Sequence, residues 1–127
     1  MNLQPLTAEY LQECRAALSA EQARSLADTA NWAHVNREQV HTDWDELYKE
    51  MAVLVNSRPP SAPEVQALIA KHYGIACRFY VPSKRAYIGV SLFYGEDAAM
   101  KSYHDAYHPG LVDFLAQAIP LYAQQQL

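Results

Sequence analysis

Basic residues are scarce and unevenly placed. Lys and Arg total 10 against 14 acids, giving a formal net charge of −4, and none follows Lys101. A stripe that neutralises phosphates is hard to build from so few, which argues against direct nucleic-acid binding. Cysteine is nearly absent. Cys14 and Cys77 show no C-x-x-C spacing, and the opening MNLQPLTAEY has neither the basic start nor the apolar core of a secretory signal, so reduced thiols and a cytoplasmic location are expected. The nearest approach to a long apolar run is MAVLV at 51–55, far short of the roughly 18 residues a membrane span needs. No short stretch alternates apolar and polar residues around a turn signal, so no strand is expected. A nucleophile elbow, a Gly-rich phosphate cradle and a spaced carboxylate pair are also missing. The expectation is a non-enzymatic protein with no cofactor.

What is present is a globular composition, half of it apolar, in 127 residues. That length supports one core without staples and predicts a single domain over residues 1–127. Val40, Trp44, Leu47, Tyr48, Met51, Leu54 and Val55 recur at helical spacing after a capping Asn36, predicting a helix over 36–57. Prolines in RPPSAPEV break it, and Ser61 with Glu64 resembles the cap of a second helix that runs to about Val81, before Pro82. Ser83 is expected to cap a third helix ending at a left-handed Gly95, and Asp97 a short fourth one. Pro109 suits the first turn of a last helix carrying Leu111, Leu115, Ala118 and Tyr122 on one face, with a kink at Pro120. In the first 35 residues Thr7 and Ser19 read as caps of two short helices. The fold class is all-α, a bundle of about six helices.

Tyr73, Tyr80, Tyr87 and Tyr94 stand seven residues apart. On a helix seven residues return a side chain to within roughly 20° of its starting direction, so each successive pair is expected to share a face. Pro82 separates the pairs and forbids one continuous heptad seam. With Phe79, Phe93, Tyr103 and Tyr107, the stretch 73–107 holds most of the aromatic residues. Two readings stay open: plain core, in which every buried phenol needs a partner, or a cleft of flat apolar walls with polar tips.

The ordered features PSAPEVQALIAKHY, FYVPSKRAYIG, Tyr94 with Asp97, Tyr103, HPGLVDFLAQAI and Tyr122 resemble the TipAS antibiotic-recognition domain. The likeness covers about 36–124 as a family-like core, with 1–35 matched poorly. It implies a globin-like helical layout and an aromatic-lined cleft enclosing bulky hydrophobic ligands such as peptide antibiotics. A bacterial role in drug sequestration and resistance follows from the resemblance. The MerR-type DNA-binding segment that often precedes this domain is not seen, which implies a stand-alone binder. In some members a cysteine captures the ligand; here Pro82 and Ser83 occupy that loop, so covalent capture by that route is not expected. The expected ligand-binding residues are Trp44, Tyr48, His72, Tyr73, Tyr80, Tyr87, Phe93 and Tyr94.

Rival readings use the same groove for a partner helix or a second copy, leaving room for a homodimer, or hold haem through His72. His72 also reads as a satisfied core histidine. His104 and His108, four apart, have the spacing of two metal ligands but lack a third, and a surface or helix-end role is expected. Cys77 reads as a small buried hydrophobe. Gly74 and Gly89 lie inside predicted helices, each at a cost of about 1 kcal/mol relative to alanine, and either close helix packing or room for a ligand would offset it.

Overall fold

A computed structural model describes residues 3–127. Six helices follow in order: α1 (Ala8–Asp28), α2 (Arg37–Leu54), α3 (Pro63–Ala76), α4 (Lys84–Glu96), α5 (Ala98–Asp105) and α6 (Leu111–Gln126). The described residues contain no strand, and no helix among them is long and apolar enough to cross a membrane. α4 is the central element: α1, α5 and α6 pack against it, while α2 packs on α3 and α3 on α6. Its Ala86, Tyr87 and Ile88 are fully buried, as are Ile69 of α3 and Leu111, Leu115 and Ile119 of α6.

Four of the expected caps form. Asn36 accepts from the Gln39 amide at 3.0 Å, Ser83 from that of Ala86 at 3.2 Å and Asp97 from that of Met100 at 3.0 Å. Thr7 does likewise for Tyr10 at 3.1 Å, but α1 is one continuous helix. Ser19 therefore caps nothing; it lies mid-helix and exposed, within an Ala-rich run of high helix propensity.

Other boundaries depart from the sequence reading. α3 begins at Pro63, whose fixed φ suits a first turn, with Ala62 as the N-cap residue and no side-chain cap, so Ser61 lies outside it. It ends at Ala76 rather than Val81, because Arg78 and Phe79 donate to the carbonyls three residues back and tighten the chain into turns. Tyr80 is thus off the helix and shares no helical face with Tyr73. Gly95 is not left-handed; α4 runs through it to Glu96, and Asp97 closes α4 while opening α5. α6 starts after Gly110 rather than at Pro109, since His108 Nδ1 accepts the Gly110 amide at 2.8 Å and forms the turn before it. The helix continues past Pro120 to Gln126.

The two helix glycines differ. A Cβ on Gly89 would fall 2.5 Å from the Cys14 carbonyl oxygen and 3.0 Å from Leu18 Cβ, so close packing of α1 on α4 is what requires glycine there. Gly74 is exposed with nothing within 4 Å of such an atom.

Candidate functional site

Tyrosines on α2 and α4 converge on two histidines in the middle of the bundle. His104 Nδ1 lies 2.7 Å from the Met100 carbonyl, which can only accept, so Nδ1 carries the proton. In the neutral ring Nε2 then accepts the Tyr48 hydroxyl proton at 2.9 Å. The Tyr48 oxygen in turn accepts from His72 Nε2–H at 3.1 Å, which also approaches Tyr94 at 3.2 Å. That tautomer leaves His72 Nδ1 to accept from Tyr87 at 2.8 Å. One directed chain of hydrogen bonds thus runs Tyr87–His72–Tyr48–His104–Met100 through the core.

Burial fixes the protonation. Desolvation, aided by His104, lowers His72 to about 3, and desolvation lowers His104 as well. The phenols move the other way: burial raises Tyr94 to about 12 and Tyr48 and Tyr87 well above their ordinary value. The network is neutral near pH 7. An unfolded histidine takes a proton near pH 6.5, whereas His72 does so only near about 3. The unfolded state therefore binds more protons between those values, and stability falls as the pH drops through that window. Below about pH 6 each further unit of pH costs about 1.4 kcal/mol for His72, and from there down to about pH 5 carboxylate titration adds little. The urea midpoint should decline from pH 7 to pH 5; a flat profile would contradict a neutral buried pair.

In front of this core lies an aromatic groove made of adjoining concavities. One of about 390 Å³ is lined by Val40, Trp44, Tyr48, Tyr94, Met100 and Tyr103. A second of about 290 Å³, sharing Tyr94 and Met100, continues to Leu18, Trp32, Tyr80, Val90 and Phe93. A third of about 850 Å³ lies between the C-terminal half of α1 and the link from α3 to α4. Phe79 lines all three. Trp44 stacks on Tyr48 with centroids 5.9 Å apart and an interplanar angle of 11°, and Trp32 meets Phe79 edge-on at 5.0 Å.

Of the eight expected ligand-binding residues, Trp44, Tyr48, Tyr80, Phe93 and Tyr94 line this groove. His72 and Tyr87 lie behind it with no exposed surface. Tyr73 faces elsewhere, donating to the Pro82 carbonyl at 2.8 Å and packing on Tyr87 and Tyr122. Both nitrogens of His72 are engaged, so neither is presented to a haem iron. The surface or helix-end role expected of His104 is corrected: its side chain turns inward and is 1% exposed. His108 instead bonds Asn56 and the Gly110 amide, and among the described residues no group of three or more His, Cys, Asp or Glu is placed to hold a metal. Cys77 is half-buried and Cys14 buried, and desolvation raises both thiols.

Trp32 and Met100 are groove residues that pattern reading missed, while Phe79 and Tyr103 belong to the aromatic stretch read as core or cleft but not to the eight expected binders. Phe79 lies in the turn that follows α3. Trp32 sits in a segment with no periodicity, where Ala30, Asn31 and Trp32 all take left-handed φ values of 52°, 60° and 62°. That turn is held by the Trp32 amide on Thr29 Oγ1 and the indole N–H on Ser25 Oγ, each at 2.9 Å.

The sequence model of the TipAS antibiotic-recognition domain matches residues 7–122, a span that includes α1. No curated protein and no solved structure matches the chain.

Proposed function

The chain belongs to the TipAS antibiotic-recognition domain family, and from that premise we propose that it binds bulky hydrophobic molecules such as peptide antibiotics and sequesters them without chemical change. The observation that carries this reading is the groove centred on Phe79, where Trp32, Trp44, Tyr94 and Tyr103 offer flat apolar faces and polar tips. The neutral histidine–tyrosine core behind it fixes the rotamers of Tyr48 and Tyr94, so the wall is rigid before a ligand arrives. Capture is non-covalent, since burial keeps both cysteines as thiols. Cytoplasmic drug tolerance without DNA contact is the biological role this reading assigns.

The test is a thermal-shift and calorimetric titration with a thiopeptide antibiotic. Wild type should show a saturable rise in Tm, because a ligand specific to the folded state stabilises it by mass action. Trp44→Ala removes one stacked wall of the groove and should weaken binding roughly tenfold or more. Trp44 is only partly buried, so this variant should still fold. Equal affinity in the two proteins would place the ligand elsewhere.

A further inference from the structure

Tyr80 is half-buried, yet its hydroxyl is enclosed. Tyr48, Tyr73, Tyr87, Tyr94 and Tyr107 each have a hydrogen-bond partner, whereas the Tyr80 hydroxyl is buried with none among the described residues. The ring lines both the 850 Å³ concavity and the apolar 290 Å³ one, at the point where they adjoin. Three acceptors lining the larger one are engaged elsewhere, and none of them bonds the phenol. Glu21 takes the Ser83 amide on Oε1 at 3.0 Å and the Ser83 hydroxyl on Oε2. Ser25 Oγ takes the Trp32 indole at 2.9 Å, and the Phe79 carbonyl takes His34 Nε2–H at 2.9 Å. A buried donor left unpaired is costly, and groups of this kind at a binding site are met by what binds there.

We infer that the Tyr80 phenol is the hydrogen-bond donor that reads the ligand of this groove, and that it selects an uncharged acceptor such as an amide carbonyl or an azole nitrogen. This rests on the antibiotic-binding reading above. Burial and the charge of Glu21 raise the phenol to about 12, so it stays a donor. Glu21 and Asp28 outnumber Arg24 on the same wall, and their field opposes a carboxylate or phosphate as the acceptor. Tyr80 is in this view a specificity-determining residue: the aromatic walls take any bulky apolar surface, and the phenol discriminates by the position of one acceptor.

Tyr80→Phe separates this role from packing, because the ring is kept. With a thiopeptide antibiotic as probe, calorimetry should show binding weakened roughly tenfold or more, while the ligand-free variant melts at the wild-type temperature or above it. A variant that binds within twofold of a wild type that does bind overturns this inference and leaves the antibiotic-binding reading intact. A lower ligand-free Tm also overturns it, because it would mean the hydroxyl is satisfied within the protein. Absence of binding by wild type would overturn both readings together.

Discussion

His72→Leu should lower the stability by roughly 2–5 kcal/mol, the summed cost of leaving buried hydroxyls unpaired. The side chain is fully buried and serves three phenols at once. Leucine fills a similar volume, so the loss comes from hydrogen bonding. Tyr87 would retain only a 3.5 Å approach to the Ile69 carbonyl, whereas Tyr48 would still donate to His104. Tyr87→Phe alone should cost less, and adding it to His72→Leu should cost less than the sum of the two, because the hydroxyl left orphaned is removed as well. Urea unfolding of the single and double variants measures this coupling directly. Simple additivity would mean the 2.8 Å contact between them contributes nothing.

The second large effect is at Gly89, where alanine should destabilise by roughly 2 kcal/mol or more despite its better helix propensity. The reason is steric. The added Cβ meets a main-chain carbonyl at 2.5 Å, and a carbonyl held in the α1 hydrogen-bond ladder cannot swing aside as a flexible side-chain end would. α1 must move off α4, opening a gap along the wall that carries Leu18 and Val90 into the groove. The same change at Gly74 should stabilise by up to about 1 kcal/mol, since the new methyl meets nothing and only the propensity gain remains. Opposite signs for one substitution at two helical glycines, read from thermal unfolding, identify packing rather than propensity as the determinant. A neutral or stabilising Gly89→Ala would contradict the close approach of α1.

These two sites show what the sequence makes legible. Both glycines were visible as helix-interior anomalies, but propensity is local and the distance between two helix axes is not, so the reason for each had to come from the fold. The caps at Asn36, Ser83 and Asp97 were readable because a side chain bonding an amide three residues on involves only neighbours in sequence. Ser61 and Ser19 carried the same local signal and failed, one displaced by the stronger geometric preference of Pro63 and the other absorbed into a continuous helix. The heptad spacing of tyrosines was half informative. Tyr87 and Tyr94 do share a helix and do meet at His72, but the chain leaves α3 before Tyr80, and that departure frees its phenol to line the groove. Trp32 was out of reach, because three consecutive non-glycine residues in left-handed conformation cost roughly 1 kcal/mol or more each and persist only where surrounding contacts hold them. His104 was misread because its proximity to a helix end suggested solvent, whereas its rotamer turns into the Tyr48 and Tyr94 rings.

Both tryptophans of the chain, Trp32 and Trp44, line the groove. Intrinsic tryptophan emission during titration with a thiopeptide antibiotic therefore tests the central claim most directly. The account predicts a saturable change in emission whose midpoint coincides with that of the thermal shift, reduced in amplitude when Trp44 is replaced by phenylalanine. A rise in Tm with tryptophan emission unchanged would place the ligand outside the groove and contradict the account.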